Sequence, residues 1–268
     1  MNPPSAKFLS AHVNTEPTWR GGEQQTLYLI EGLRRRGYPT VLFATAGTPL
    51  DERARAAGFT VEHLRIRSEA DLPAILRLAG ALRRVRPTVL HLHTSHAHAI
   101  GVAAAALARR GIRRIVSRRV DFSIYRHSFL GLNRLKYAYG VDLYLTVSNL
   151  IRDVLIRDGI APERIRVVHS GVDAGRFHGL AAGARPACIR ELGIPDGVPL
   201  VGGVGALVQH KGFEHLIEAA ALVLRERDCA FVVAGEGELR EALSRKIAGL
   251  GIEKRFHLLG FRSDIGEF

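Results

Sequence analysis

The chain has 268 residues, 47% of them hydrophobic and 24% charged. That composition excludes a disordered or fibrous chain, and the length suffices for one large or two ordinary domains with real cores. Two cysteines, Cys188 and Cys229, are too few for a disulfide framework and read as reduced cytoplasmic thiols, while a formal charge of +12 reflects either anionic partners or no more than solvated helix surface.

The elements alternate strand and helix with short glycine or proline punctuation, the pattern of parallel sheets with crossover helices. Phe8–Val13 reads as the first strand, and Glu23–Arg36 as a helix with Leu27, Ile30 and Leu33 on one face, stopped by Gly37. Strand Thr40–Ala44, helix Leu50–Ala57, strand Thr60–Leu64 and helix Asp71–Val85 follow. Val89–His93 is a fourth strand, His96–Arg110 an alanine-rich helix and Arg114–Ser117 a fifth strand. An aromatic-rich stretch then holds a helix near Leu130–Tyr139, before strand Leu143–Val147, helix Asn149–Asp158 capped by Ser148, and strand Ile165–His169.

Gly171 to Pro186 lacks any apolar period and reads as a linker, its core 174–186 separating a domain 1–173 from a domain 187–268. The second series runs through a short helix to Leu192, strand Leu200–Gly205, helix Phe213–Arg225, strand Cys229–Ala234, helix Glu238–Leu250 and strand Phe256–Leu259. The longest apolar run, Ala97 to Ala108, is too short to span a bilayer, and Met1 to Lys7 carries no charged-then-apolar leader, so a soluble chain is expected. The excess arginine sits on helices without any nucleic-acid-binding signature. Nucleic acid is therefore not expected as a partner, whereas an anionic membrane surface or phosphorylated substrates would suit the charge.

Several segments at the carboxyl ends of strands carry chemistry. His210-Lys211-Gly212 precedes a helix, where unpaired amides, the helix dipole and an ammonium together suit a phosphate. Gly21-Gly22-Glu23-Gln24 lies between the first strand and first helix, and is either an anion-binding helix start or a plain turn. His91-Leu-His93 puts two imidazoles on one strand face; metal ligation, a substrate-facing His93, and simple packing are the three readings, and no carboxylate or cysteine stands at ligand spacing to favour the metal. Arg118-Arg119-Val-Asp121 clamps a phosphate, sets up a carboxylate that activates a hydroxyl, or pairs with itself. Gly235-Glu-Gly237 is a tight turn for nucleotide approach or for capping. No serine-hydrolase elbow, Walker lysine loop or Cys–His dyad is present.

Taken in order, these segments resemble the family-4, GT-B-type retaining glycosyltransferases. The resemblance rests on Gly21-Gly22-Glu23-Gln24, on Leu143-Tyr-Leu-Thr-Val-Ser148, on Arg166-Val-Val-His-Ser-Gly-Val-Asp173, on Gly205-Ala-Leu-Val-Gln-His-Lys211-Gly212, and on Val233-Ala-Gly-Glu-Gly237 and Phe256-His-Leu-Leu-Gly-Phe261. It implies an α/β, GT-B-like chain with a complete N-terminal Rossmann-like domain for the acceptor and an incomplete second one for a nucleotide-diphosphate sugar. It further implies donor diphosphate contacts from Gly22, Gly205, His210, Lys211 and Gly235, and acceptor-side contacts from Gly21, Gln24 and His93. Lys211 would stabilise the charge that grows on the leaving diphosphate, and no divalent metal or other cofactor is expected. The implied acceptor is a saccharide, lipid-linked or of the cell envelope, met in the cytoplasm or at the inner face of an anionic membrane.

Three departures from the family pattern stand out. Gly205-Ala206 occupies the region where the family has an arginine that pairs with the lysine. Arg119 and Asp121 stand where many members have a histidine beside the reacting sugar, and are the expected catalytic pair. The family's E-x7-E motif belongs downstream of Phe268, so the chain alone is expected to be weakly active or inactive, with strand Leu200–Gly205 an apolar open edge. The alternatives are an inactive acceptor-binding remnant or another GT-B enzyme such as a nucleotide-sugar epimerase.

Overall fold

The computed structural model describes residues 8–108, 111–121, 123, 137, 140–177, 187–262 and 264–266. The chain divides into two compact units, Met1–Gly171 and Val172–Phe268, close to the domain boundary expected at residue 173. Of the expected linker, Ala174–Phe177 forms a 3-10 turn, and 178–186 lie outside the described residues, as does the expected helix near Leu130–Tyr139 apart from Tyr137.

In the first unit the strands are β1 (Ser10–Val13), β2 (Thr40–Ala44), β3 (Thr60–His63), β4 (Val89–Leu92), β5 (Arg113–Arg118), β6 (Leu143–Thr146) and β7 (Ile165–Val167). They form one parallel sheet in the order β3-β2-β1-β4-β5-β6-β7. The helices are α1 (Gly21–Arg35), α2 (Pro49–Ala56), α3 (Leu72–Val85), α4 (Ser95–Ala108) and α5 (Asn149–Arg157). Sequence chemistry sets several of their ends: Asp71 accepts from the Ala74 amide and Ser148 from the Ile151 amide, caps worth about 1 kcal/mol each.

The sheet is covered on both faces, as parallel sheets require. Ala11, Val13, Val41, Phe43, Leu90 and Leu92 pack against Leu78, Leu82, Ile100 and Ala104 of α3 and α4. The other face carries Leu42 and Ala44 against Leu27 and Ile30 of α1 and Leu50 of α2. Gly101 lets α4 settle onto β4, because a Cβ there would meet Leu92 Cδ2 at 2.2 Å. All four residues of β1 are buried. Ser10 and His12 therefore lie inside the protein on the α1 face, since side chains alternate along a strand.

In the second unit β8 (Leu200–Val204), β9 (Ala230–Ala234) and β10 (Phe256–Gly260) form a parallel sheet in the order β10-β9-β8, with α6 (Phe213–Val223) and α7 (Arg240–Gly249) as the crossovers. β9 is central and wholly buried. β8 is an edge, as expected, with Val201 and Val204 exposed. Among the described residues no helix is long and apolar enough to cross a membrane.

Candidate functional sites at the carboxyl ends of the strands

Open parallel sheets bind ligands beyond the carboxyl ends of their strands, where loops and helix starts converge. In the first unit a cleft of about 650 Å³ opens there, walled by Gly22, Glu23, His93, Arg118, Arg119 and Tyr137 among others. Helix α1 begins at Gly21, two positions earlier than expected, which places both glycines in its first turn. The reason is Glu23, whose Oε2 accepts from the Arg20 amide at 3.0 Å and so holds the extended residue before the helix. Buried Glu23 also accepts from Asn14 Nδ2 at 3.2 Å, and Asn14 Nδ2 reaches Thr26 Oγ1 at 3.1 Å.

Arg119 lies over this helix start. Its Nη1 donates to the His93 carbonyl at 3.3 Å and sits 3.9 Å from where a Cβ on Gly22 would be. Burial pushes the Arg119 guanidinium below the usual arginine range, and the Glu23 carboxylate partly restores it. Arg118 turns the other way and donates to Tyr137 Oη at 2.8 Å.

Of the site residues expected in the first unit, the cleft gathers the donor-side Gly22, the acceptor-side His93 and the catalytic candidate Arg119. Gly21 is exposed at the helix start, and Gln24 is half-buried on α1 away from the cleft wall. Asp121 is exposed and is not among the described residues of the wall. Arg119 and Asp121 thus occupy different surroundings, although Val120 and Ser123 on either side of Asp121 do line the cleft.

His12 was not singled out by the sequence, and it changes the meaning of the H-x-H pair. In register it lies opposite His91. Its Nδ1 is 3.1 Å from His93 Nε2, and its Nε2 is 3.1 Å from Ser10 Oγ. His91 stacks on His93 with ring centroids 4.1 Å apart and bonds Ser117 Oγ at 2.8 Å. One nitrogen from each of the three imidazoles lies within 4.8 Å of the others. Burial keeps all three neutral: His12 falls to about 4, and His91 and His93 fall well below the ordinary histidine range, helped by each other and by Arg119. The only sequence cue to His12 is the period-two repeat of polar residues, Ser10 and His12, in an otherwise apolar strand.

In the second unit the loop after β8 folds over the loop after β9. Gly205 donates to the Ala234 carbonyl, Leu207 to that of Glu236, and Leu239 to that of Leu207, at 2.9–3.0 Å. The Lys211 chain lies beside Gly205, its Cδ 3.9 Å from where a Cβ would stand. Gln209–Lys211 form a 3-10 turn that ends in left-handed Gly212, which starts α6. Gly205, Lys211 and Gly235 are thereby brought together at the carboxyl ends of β8 and β9. His210 is exposed on the same turn. A separate hollow of about 850 Å³ between Arg225 and Arg255 lies at the amino ends of β9 and β10, away from the edge where parallel sheets bind ligands.

Residues 19–176 match the model of Glycosyltransferase Family 4, and residues 185–268 that of Glycosyl transferases group 1. The chain is 25% identical over 251 residues to an uncharacterized glycosyltransferase of Methanocaldococcus jannaschii, covering 87% of this chain and 63% of that protein. It is 24% identical over 287 residues to the UDP-Gal:alpha-D-GlcNAc-diphosphoundecaprenol alpha-1,3-galactosyltransferase of Escherichia coli, covering 99% of this chain and 72% of that one. The crystal structure of Anabaena HepE in complex with UDP and glucose superimposes with a TM-score of 0.77 at 19% identity, over 97% of this chain and 71% of that one. The chain therefore spans about two thirds of the length of these relatives.

Proposed function

Because the chain belongs to the family-4, group-1 glycosyltransferases, we propose that it serves the transfer of a sugar from a nucleotide-diphosphate donor to a hydroxyl of a saccharide acceptor. The observation that carries this reading is the meeting of Lys211 with the backbone of Gly205 and Gly235 at the carboxyl ends of β8 and β9. An exposed ammonium beside closely approached, side-chain-free backbone suits a diphosphate, whose charge grows as the glycosyl bond breaks. His210, on the same turn, adds a second donor. The group-1 match over 185–268 favours transfer over the epimerase alternative.

In the first unit, the cleft between α1 and β5 would take the acceptor, with Gly22 and the start of α1 toward the diphosphate and His93 and Arg119 toward the saccharide. Gly21 and Gln24, next to that helix start, contribute backbone rather than cleft wall. Asp121, exposed, is less suited to a catalytic role than Arg119. The reaction draws on fixed cations and amides, with no divalent metal assigned a part.

The acceptor is proposed to be lipid-linked, met at the cytoplasmic face of a membrane. Leu72 and Leu76 stand exposed one turn apart on α3 beside Arg77, and Arg83 of the same helix donates to the carbonyl of exposed Leu107. An apolar stripe flanked by arginine, on a chain of formal charge +12, suits an anionic bilayer. Calorimetric titration with UDP-, GDP- and ADP-sugars tests the donor half: saturable heat with one of them, lost in Lys211→Ala, is expected, and absence of heat with all of them would remove the reading.

A further inference from the structure

Beyond β7 the chain leaves the first unit through a short series of ties. The Val168 amide donates to the Thr146 carbonyl at 2.8 Å, and His169 Nδ1–H to the Val147 carbonyl at 3.1 Å. The next tie comes from a distant part of the sequence. Gln25 Nε2 donates to the Gly171 carbonyl at 2.6 Å, and the Gly171 amide donates to Gln25 Oε1 at 3.1 Å, across 146 positions. Past Gly171 the Gly175 amide donates to Asp173 Oδ1, a local bond, and residues 171–175 are all exposed. The first compact unit ends at this same Gly171.

A carboxamide carries one donor and one acceptor side by side, and the backbone of Gly171 returns one of each. Two bonds between the same two residues fix orientation as well as distance. Gln25 can hold that pose because the start of α1 is itself held: Glu23 accepts from the Arg20 amide, and Thr26 Oγ1 donates to the Gly22 carbonyl at 2.9 Å. The helix that carries Gly22 and Glu23 to the cleft wall therefore also grips the end of the first unit.

We propose that Gln25 is a positioning residue that pins the point where the chain leaves the first unit, so that the free connection to the second begins at Val172. Without it the last tie is at His169, and residues 170 and 171 join the free connection, adding about 7 Å of extended chain. The consequence for catalysis rests on the glycosyl-transfer reading. The acceptor cleft and the lysine turn belong to different units, and slack in the connection dilutes one with respect to the other. The pin itself does not rest on that reading.

Simple packing of the Gln25 stem on α1 is the competing account, and two substitutions separate them. Gln25→Met keeps the length and the apolar stem and loses both bonds. Gln25→Glu loses the donor to the Gly171 carbonyl and keeps an acceptor for the Gly171 amide.

Residue-resolved amide hydrogen exchange on the whole chain tests the pin. The Gly171 amide is expected to exchange about tenfold faster in Gln25→Met, the effect of one lost hydrogen bond, and near the parent rate in Gln25→Glu. Val167 in β7 should keep its rate in both, showing that the fold is intact. Equal Gly171 rates in the parent and Gln25→Met would overturn the proposal. Spin labels at Glu52→Cys on α2 and Glu241→Cys on α7, in a background of Cys188→Ala and Cys229→Ala, give the second readout. Gln25→Met should widen the spread of distances between them, and an unchanged spread would refute a constraint on the connection. Neither measurement needs a nucleotide sugar. Absence of nucleotide-sugar heat beside a fast-exchanging Gly171 in Gln25→Met would remove the transfer reading and uphold the pin; donor heat beside equal exchange rates would do the reverse.

Discussion

A Cβ placed on Gly235 would stand 1.8 Å from the carbonyl oxygen of Gly205. The two loops at the carboxyl ends of β8 and β9 can therefore touch only through backbone; the Gly205 and Gly235 amides are spent on the Ala234 and Gly260 carbonyls, and the Lys211 side chain lies beside Gly205.

Gly235→Ala should force those loops apart and lower the stability of the second unit by about 1–3 kcal/mol or more, the usual cost of overpacking. Gly21→Ala is the contrast. Nothing lies within 4 Å of a Cβ there, and the residue opens helix α1. That substitution should be neutral or stabilising by up to about 1 kcal/mol. Thermal unfolding of the two variants beside the parent checks both; similar melting temperatures would contradict the loop packing.

Lys211→Ala should cost about 1.5–3 kcal/mol of nucleotide-sugar affinity, roughly 10- to 100-fold, as a lost charge-assisted bond does. Because Lys211 is exposed, stability should change by no more than about 0.5 kcal/mol. Calorimetry and urea unfolding read the two effects separately. A large stability loss with unaltered affinity would make Lys211 structural.

Stability should rise with pH between about 4 and 6.5. His12 falls from its ordinary value of 6.5 to about 4 in the folded protein because burial penalises its charged form. In that window the unfolded chain holds the extra proton, so acid favours unfolding; above 6.5 the contribution is complete, and it is lost as the pH drops toward 4. The shift corresponds to about 3 kcal/mol in order of magnitude. Urea midpoints measured from pH 7.5 downward should show the slope, and His12→Gln should reduce it, the remainder coming from buried His91 and His93. An unchanged slope in that variant would mean that other groups carry the effect.

Leu72→Ser combined with Leu76→Ser should reduce co-sedimentation with phosphatidylglycerol vesicles while leaving nucleotide-sugar binding intact. Neither side chain is buried, both being more than half exposed, so the fold should be unaffected. Equal sedimentation of parent and variant would locate any membrane contact elsewhere.

Much of this protein was readable from local pattern. The alternation of strands and helices, the cap at Ser148 and the Lys211-Gly212 turn all follow from side-chain period and from residues whose backbone preferences act within a few positions. The helix start at Gly21 was missed by two residues because the deciding bond, from Glu23 back to the Arg20 amide, competes with glycine's preference for turns. The family resemblance was equally local, resting on short segments in a fixed order.

The sequence by itself thus determined the two α/β units, their order and the family, together with the lysine turn. Only the tertiary structure decided that His12 joins His93 across 81 positions of sequence, that Arg119 enters the cleft while Asp121 stays outside, and that Gly205 and Gly235 meet backbone to backbone. The physical reason is common to all three. Parallel pairing requires a crossover between neighbouring strands, so side chains that meet come from distant segments. Which atoms then bond depends on register and burial, which no local spacing contains.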